Sequence, residues 1–409
     1  MSNELRTVIV GAGQAGARTA AALRRLDDAR EIILIGEEQA LPYERPPLSK
    51  DVLNGGTPSK TTIFPLDWYE AHRIALRAGV QAVGLDWRAR QVLLAHGELL
   101  AYDDLVLATG VRPRLLTVPG ANLEGVVTLR TVADSMSLSA RLTAGANVVV
   151  IGGGFLGLEI AATGTARKCA VTVLEYGNDL LPRIFGGFLG SYLSDLHRMH
   201  RVEVRTGVKV TALEGDAAVA AVRLADGTAV PADVVVVAIG AAANDELALA
   251  AGADCADGVL VDAQARTSLP SIFAVGDVAR QRTHWLGESV RVESWENAEV
   301  QALAAASAIA GVAPVAAAAP WFWTDQYDRN IQMLGNRVAD DTVVIRGDVT
   351  APSWCAFFVA ENTIRGAVLI NAGRERRNVK RLIETKQRID CAEIADAGQP
   401  LPAQARAQT

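Results

Sequence analysis

The feature that most constrains this chain is a motif that occurs twice. Each copy has an apolar strand, the spacing GxGxxG, an Ala-rich helical stretch and a second β-branched strand followed by glutamate, at residues 7–37 and 148–175. Such a unit places its two strands in parallel, with the helix packed across one face of the sheet. Two copies predict an α/β fold with two Rossmann-like dinucleotide-binding domains.

The three glycines of the first copy have separate tasks. Gly11 permits the tight turn after the strand, Gly13 lets a pyrophosphate approach the backbone, and Gly16 lets the helix pack close to the sheet. The helix N-terminus then stabilises the phosphates. Glu37 ends the unit, where a carboxylate can accept both ribose hydroxyls. The alternative, a glycine-rich turn with an incidental glutamate, is disfavoured by the complete strand–helix–strand context.

The second copy repeats this arrangement and predicts a second dinucleotide. Its glycines are Gly152, Gly154 and Gly157, and Glu175 follows the next strand. Two complete units indicate two bound dinucleotides: one is the electron donor, and the other is a prosthetic group that relays the electrons. A carboxylate at Glu175 repels a 2′-phosphate and so favours NADH over NADPH, although Arg183 is near enough in sequence to act on either the 2′-phosphate or the pyrophosphate.

Composition excludes several other classes. The chain has 409 residues, of which 50 % are hydrophobic and 21 % charged, as expected for a globular protein of two or three domains. The net charge of −6 argues against a dedicated nucleic-acid-binding protein. The cysteines are scattered, with no CxxC spacing, which predicts reduced thiols in a cytoplasmic protein and no metal site. They are Cys169, Cys255, Cys355 and Cys391.

No targeting or membrane segment is predicted. The N-terminal apolar run is too short for a signal peptide. Residues 300–324 carry no charge, but they are Ala-rich and contain Gly311, Pro314 and Pro320. We therefore expect a buried helix that ends near Gly311, followed by a loop.

Further motifs show a resemblance to a known family. They are ATG at residues 108–110, TSLPSIFAVGD at 267–277, RPPLSK at 45–50 and ESWENA at 293–298. Together with the two GxGxxG units, they resemble the glutathione-reductase-type flavoprotein superfamily. Within it the chain is most similar to the ferredoxin reductases of aromatic-ring dioxygenase and haem monooxygenase systems, over residues 5–390.

The resemblance implies which residues bind each cofactor. The first unit binds FAD, through Gly11, Gly13, Ala15, Gly16, Glu37, Arg45, Lys50, Val83, Ala108, Thr109, Gly110, Arg130, Gly276, Asp277, Trp295 and Trp323. The second unit binds NAD(H), through Gly152, Gly154, Phe155, Leu156, Gly157, Glu159, Glu175, Arg183 and Gly240.

It also implies more specific roles. Lys50 and Glu159 pair beside the flavin N5 as the catalytic residues, and Asp277 binds the ribityl chain. Trp295 lies against the isoalloxazine, at the start of the helix that contains Asn297, and Trp323 approaches the flavin edge.

Each of three side chains also has a purely structural interpretation. Lys50 is then a solvated lysine, Glu159 a carboxylate favoured by the dipole in the first turn of its helix, and Trp323 a core residue of a strand.

Three domains are expected. Residues 1–113 and 241–318 form the FAD domain, 114–240 the NAD domain, and 319–409 a C-terminal α+β domain.

The implied function is NADH-dependent electron transfer. Residues 38–60 contain no cysteine, whereas the disulfide- and peroxide-reducing members of the superfamily carry redox cysteines after the first unit. We therefore expect electrons to pass singly from FAD to a small iron–sulfur ferredoxin, of the two-iron two-sulfur type, which serves an oxygenase. Three alternatives stay open: a rubredoxin reductase, an NADH oxidase, and an NADH-sensing flavoprotein that resembles apoptosis-inducing factor.

A basic run near the C-terminus is a candidate partner surface. Residues 365–388 contain eight basic and two acidic residues. Such a patch can steer an acidic ferredoxin, or it can be an ordinary solvated helix face.

Overall fold

A computed structural model describes residues 5–182, 184–282, 285, 289–313 and 318–402. These residues pack as two units. The first comprises the described parts of 1–45, 58–112 and 241–318, and the second those of 46–57, 113–240 and 319–409. The short segment 46–57 thus packs with the second unit, although the flanking chain belongs to the first.

The strands of the described residues, in chain order, are β1 (Arg6–Val10), β2 (Glu31–Gly36), β3 (Ile74–Ala78), β4 (Ala82–Asp86), β5 (Gln91–Leu94), β6 (Leu99–Ala101), β7 (Asp104–Leu107), β8 (Val111–Pro113), β9 (Val126–Val127), β10 (Asn147–Ile151), β11 (Ala170–Leu174), β12 (Glu203–Arg205), β13 (Val210–Glu214), β14 (Ala221–Leu224), β15 (Ala229–Pro231), β16 (Val234–Val237), β17 (Ala241–Ala243), β18 (Val259–Val261), β19 (Ile272–Ala274), β20 (Ala279–Arg282), β21 (Ser289–Val290), β22 (Trp321–Gln326), β23 (Arg329–Gly335), β24 (Thr342–Arg346), β25 (Trp354–Ala360) and β26 (Thr363–Ile370).

The α-helices of the same residues are α1 (Gln14–Leu26), α2 (Leu66–Ala71), α3 (Val132–Arg141), α4 (Phe155–Ala166), α5 (Phe188–Met199), α6 (Glu246–Ala250), α7 (Trp295–Ile309), α8 (Arg376–Thr385) and α9 (Cys391–Ala395). Short 3₁₀ turns include Pro46–Ser49 and Gly276–Val278.

The first unit is centred on a parallel sheet of order β19-β7-β1-β2-β3. Its central strands are continuous apolar runs because both faces are buried. On one face α1 packs against α7. The two helices can pack closely because both are Ala-rich. Helix α1 ends with Arg24 and Arg25, whose positive charges complement the negative end of the helix dipole. The other face is covered by residues of β5, β6 and α6.

The second unit contains a parallel sheet of order β12-β11-β10-β16-β9. Helix α4 follows β10 and is buried along most of its length. The C-terminal part forms an antiparallel sheet of order β22-β23-β26-β25-β24, against which α8 packs. This arrangement confirms the predicted class: two Rossmann-like sheets and a C-terminal α+β part.

The uncharged, Ala-rich stretch forms a helix with the predicted end. Helix α7 stops at Ile309, and Gly311 has a φ of +67°. Its alanines are buried against α1 in the first unit. Within the described ranges, none of the helices combines the length and the apolar character needed to cross a bilayer.

Candidate functional site: two phosphate loops and a buried ion pair

The first phosphate loop (residues 11–16) joins β1 to α1, and its three glycines serve different purposes. Gly11 has a φ of +109°, and a Cβ on it would lie 2.1 Å from the Ala108 carbonyl oxygen. A Cβ on Gly16 would lie 1.9 Å from the oxygen of Gly11. By contrast, a Cβ on Gly13 would meet no atom of the described chain within 4 Å. The fold therefore requires Gly11 and Gly16, whereas Gly13 leaves open space for a ligand at the helix N-terminus.

The second phosphate loop (residues 152–157) repeats this geometry between β10 and α4. Gly152 has a φ of +113°, and its Cβ would lie 2.3 Å from the Ala238 oxygen. That of Gly157 would lie 2.1 Å from the Gly152 oxygen, and that of Gly154 would meet none of the described atoms within 4 Å. Two sites with the same open position at a helix N-terminus fit two pyrophosphates.

The two acidic residues that end these units differ in their surroundings. Glu37 is exposed and has no polar partner among the described residues. Glu175 accepts hydrogen bonds from the backbone N–H groups of Gly153, at 2.7 Å, and Gly177, at 2.6 Å. Because a carboxylate has about four acceptor positions, Glu175 keeps acceptor capacity for ribose hydroxyls while it orders its own loop.

The segment Ala108–Thr109–Gly110 follows β7. It is hydrogen-bonded to Asn244, which lies in the second part of the chain that belongs to the first unit, beginning at residue 241. The Thr109 hydroxyl donates to the Asn244 oxygen at 2.6 Å, and Asn244 Nδ2 donates to the Thr109 oxygen at 2.9 Å. Gly110 has a φ of +67°. Asn244 thus holds the turn in which these three predicted residues lie.

The predicted Gly276–Asp277 turn lies beside the start of α1. A Cβ on Gly276 would lie 2.7 Å from the Ala15 Cβ, so these two predicted residues are in contact. The Gly276 N–H donates to Gln301 Oε1 at 2.8 Å, and Gln301 is 2 % exposed. Gln301 therefore fixes the backbone of the turn that presents Asp277.

The other predicted FAD residues of the first unit lie on its surface or half-buried. Arg45 donates to Glu38 Oε1 at 2.8 Å, next to Glu37. Val83 is exposed on β4. Trp295 is the first residue of α7, as predicted, and the Arg18 guanidinium lies 5.8 Å from its ring centroid.

In the second unit, Lys50 and Glu159 form a buried ion pair. Lys50 Nζ lies 2.7 Å from Glu159 Oε2, and the side chains are 19 % and 8 % exposed. The Ser49 hydroxyl donates to Glu159 Oε2 at 2.5 Å, and the Thr324 hydroxyl donates to Oε1 at 2.6 Å. Both carboxylate oxygens are thus satisfied, as burial of a charge requires.

The structure corrects one expectation for Glu159. Helix α4 begins at Phe155, so Glu159 lies beyond the first turn, where the effect of the helix dipole has fallen off. Likewise Lys50 is not a solvated lysine. The 3₁₀ turn Pro46–Ser49 directs it inward, and its ammonium also donates to the Pro46 oxygen at 3.2 Å.

Trp323 is half-buried on β22, so it is not a core residue. Its ring stacks on Trp321 with centroids 4.9 Å apart, and its Nε1 donates to Asp325 Oδ2 at 3.1 Å. The Arg376 guanidinium lies 4.5 Å from the Trp321 ring centroid. Part of the basic C-terminal run is therefore used to pack this aromatic pair.

The remaining predicted residues of the second unit lie near its phosphate loop or at its ends. Phe155 begins α4 and contacts Phe322, with ring centroids 4.6 Å apart, and Leu156 is 38 % exposed. Gly240 has a φ of +100°. Arg130 immediately precedes the cap of α3. Arg183 lies outside the described residues.

No disulfide joins the cysteines of the described residues. All four are free thiols, and no metal-binding cluster occurs within the described ranges. Burial raises the pKa of Cys355 to about 11, and burial with nearby carboxylates raises the pKa of Cys255 to about 11. Both thiols are therefore protonated and unreactive at neutral pH.

Sequence reasoning missed several residues of these sites, because their partners are distant in the chain. Asn244 and Gln301 lie outside every motif that the sequence offered. Signals were available for the other two residues: Ser49 precedes Lys50 within RPPLSK, and Thr324 follows Trp323.

The chain matches two family models. The model described as pyridine nucleotide-disulphide oxidoreductase covers residues 5–302, and that described as reductase C-terminal covers 321–405. The ferredoxin–NAD(+) reductase component of the anthranilate 1,2-dioxygenase system of Burkholderia cepacia is 42 % identical over 393 residues, which are 95 % of this chain and 96 % of that protein.

Solved structures agree with this match. Putidaredoxin reductase, in its covalent complex with putidaredoxin, superposes with a TM-score of 0.92 at 35 % identity, over 98 % of this chain and 97 % of that one. A ferredoxin reductase from Rhodopseudomonas palustris gives a TM-score of 0.92 at 37 % identity, over 96 % and 98 %. The chain therefore belongs to the pyridine nucleotide-disulphide oxidoreductase family, as an FAD- and NAD(H)-dependent flavoprotein of the ferredoxin–NAD(+) reductase type.

Proposed function

We propose that this protein is an NADH:ferredoxin oxidoreductase that supplies an oxygenase with electrons. The observation that carries the proposal is the pair of phosphate loops, each with one glycine open toward a ligand, in a chain that has no cysteine in residues 38–60. One dinucleotide is then the donor and the other the resident relay, and electrons leave without passing through a cysteine.

The residues present fit FAD at the first phosphate loop. Gly13 leaves room for the pyrophosphate, Glu37 is exposed for the ribose, and Gln301 holds the turn that bears Asp277. FAD supplies hydride acceptance and release of single electrons when it is bound. In this assignment residues 1–113 and 241–318 hold FAD, 114–240 hold NADH, and 319–409 form the C-terminal domain.

The side chains bind and orient the two dinucleotides, and no catalytic triad transfers protons. Lys50 and Glu159 set the charge near the reacting flavin nitrogen. Gly154 admits the NADH pyrophosphate, and Glu175 binds its ribose and disfavours a 2′-phosphate. Arg45, Val83, Arg130, Trp295 and Trp323 complete the FAD site by the same resemblance.

The electron acceptor is a small iron–sulfur ferredoxin. The anthranilate dioxygenase component of Burkholderia cepacia and the putidaredoxin complex support this partner, since each is named for a ferredoxin-type system. An oxygenase that acts on an aromatic compound is the corresponding terminal enzyme. Four free thiols are consistent with action in the cytoplasm.

An anaerobic absorbance titration of the purified protein with NADH, and with NADPH in parallel, tests the proposal. We expect the flavin bands to bleach with about one equivalent of NADH, with a long-wavelength charge-transfer band, and a weaker response to NADPH. A protein without flavin, or a flavin that NADH leaves oxidised, would contradict it. Rapid NADH consumption in air without a carrier would instead identify an oxidase, and an NADH-dependent dimer with negligible turnover a sensor.

A further inference from the structure

A chain of hydrogen bonds, buried except at its Tyr327 end, leads away from the ion pair of Lys50 and Glu159 within the second unit. Thr324 Oγ1, which donates to Glu159, accepts from Gln326 Nε2 at 3.1 Å. Gln326 Oε1 lies 2.8 Å from His197 Nε2, and His197 Nδ1 lies 2.9 Å from the Tyr327 hydroxyl.

The three inner side chains of this chain are shielded from water, whereas Tyr327 is half-buried. Thr324 and His197 are 0 % exposed, and Gln326 is 1 % exposed. Burial lowers the pKa of His197 to about 4, so the imidazole is neutral at pH 7. The charged and titratable groups that face the chain are Lys50 at one end and Tyr327 and His200 at the other; His200 stacks on Tyr327 with centroids 3.6 Å apart.

The chemistry of the groups sets one direction for every bond. An amide oxygen accepts only, so His197 Nε2 carries the proton and donates to Gln326. His197 Nδ1 then accepts from Tyr327, and the Gln326 amide donates to Thr324. The Glu159 carboxylate can only accept, so the Thr324 hydroxyl donates to it. Every donor therefore points toward the carboxylate, and aligned hydrogen bonds strengthen one another in a buried site.

We propose that Thr324, Gln326 and His197 are positioning residues that act through this directed chain to hold the Glu159 carboxylate against Lys50 and to stabilise its negative charge. The proposal deepens the proposed function, because it rests on the placement of this ion pair beside the flavin. Loss of the last donor leaves more uncompensated negative charge at the pair, which disfavours the electron-rich reduced flavin.

The test is the midpoint potential of the bound flavin in the purified holoenzyme at pH 8, measured by equilibration with a reference dye. Thr324→Val keeps the shape of the side chain and removes the donor. A hydrogen bond to a charged group supports an expected tenfold change in the two-electron equilibrium constant, which is a fall of about 30 mV. Thr324→Ser restores the donor and should lie within about twofold of the parent constant.

Thr363→Val is the matched control. Its hydroxyl donates to the Ala360 backbone oxygen in the same antiparallel sheet, away from the ion pair. A potential for Thr324→Val that equals that of Thr363→Val, or that rises, would overturn the proposal. The dye equilibration requires no NADH, so this result is separate from a failure of NADH to reduce the flavin.

A second measurement is made on the unaltered protein, so its result does not depend on whether the Thr324 variants fold. Imidazole ¹⁵N resonances at pH 7, with His197 assigned through the shift that Tyr327→Phe causes, should show a neutral ring protonated at Nε2. A ring protonated at Nδ1 would reverse the direction of the chain, and an imidazolium would remove the acceptor for the Tyr327 hydroxyl; either result would overturn the proposal.

Discussion

Lys50 Nζ lies 2.7 Å from Glu159 Oε2, and the Glu159 side chain is only 8 % exposed. Two local features bring the residues together: a proline-stiffened 3₁₀ turn that ends before Lys50, and helix α4, which begins at the second phosphate loop. Removing one partner of such an ion pair lowers the stability of the protein, because the remaining charge stays buried without a partner and without hydration.

Removal of one partner should therefore destabilise the protein more than removal of both. We expect Lys50→Met to lower the free energy of unfolding by about 2–3 kcal/mol, somewhat less than for a fully buried pair because Lys50 retains some solvent contact. The double variant Lys50→Met/Glu159→Gln should recover most of this loss. Urea unfolding of both variants and of Glu159→Gln completes the cycle, and strictly additive effects would show that the pair is not coupled.

The two open glycines provide a matched test of which unit binds which dinucleotide. Gly13→Ala and Gly154→Ala each add a methyl group that meets no described atom of the chain within 4 Å, so both variants should fold. We expect Gly13→Ala to lower the FAD content of the purified protein at least about tenfold, since the methyl group occupies the position of the pyrophosphate.

Gly154→Ala should retain FAD and weaken NADH binding by a similar factor. FAD content follows from absorbance after denaturation, and the NADH affinity from anaerobic titration. Loss of FAD in Gly154→Ala, with FAD kept in Gly13→Ala, would reverse the assignment.

Gln301 should matter for FAD affinity although it was not predicted from the sequence. Gln301→Leu keeps the volume but leaves the buried Gly276 N–H without its acceptor, which costs about 1–3 kcal/mol. We expect a roughly tenfold or greater rise in the FAD dissociation constant, measured by reconstitution of the apoprotein. An unchanged constant together with an unchanged melting temperature would show that the turn holds its shape without this bond.

His197 should make stability depend on pH in the acid range. Its pKa falls from 6.5 to about 4 on folding because burial disfavours the imidazolium, so the unfolded chain binds more protons between these values. Its contribution is fully present above pH 6.5 and is lost as the pH falls toward 4. The maximal effect is about 3 kcal/mol.

The free energy of unfolding, measured from pH 7 to pH 4, should thus fall less steeply for His197→Gln than for the parent. His96→Gln, at an exposed histidine whose surface ion pair with Glu98 contributes little to stability, is the control and should stay close to the parent curve. A parallel course of the His197→Gln and parent curves would contradict the role of burial.

The thiols should be dispensable for electron transfer. Burial raises the pKa of Cys355 to about 11, and so we expect slow alkylation of this residue at pH 8. A variant with Ser at Cys169, Cys255 and Cys391 should keep the anaerobic reduction of flavin by NADH within about twofold of the parent rate. A loss of reduction in this variant would point to a thiol in the electron path.

Much of the fold was predictable because its evidence is local. The two phosphate loops, the helices that follow them and the glutamates that end each unit lie within about 30 consecutive residues, where spacing alone reveals the geometry. The end of α7 near Gly311 was predictable for the same reason, since a glycine with positive φ terminates a helix within a few residues of sequence.

The contacts between distant segments were not predictable in this way. Gln301 is one polar residue in an Ala-rich helix, and nothing in its neighbours shows that its amide meets Gly276. Likewise, nothing near Thr324 in the sequence shows that it contacts Glu159, and nothing near Gln326 shows that it contacts His197. The resemblance anticipated the meeting of Lys50 with Glu159, but not the hydroxyls of Ser49 and Thr324 that complete the shell of the carboxylate.

The sequence by itself thus determined the two dinucleotide units and the absence of cysteine from residues 38–60, because these are properties of residue types at short, regular spacings. Only the tertiary structure decided which glycines face open space, how Glu175 differs from Glu37, and that a directed chain of side chains ends on Glu159. The reason is physical. Burial and hydrogen-bond direction depend on which distant strands and helices pack together, and the order of residues along the chain does not specify those distances.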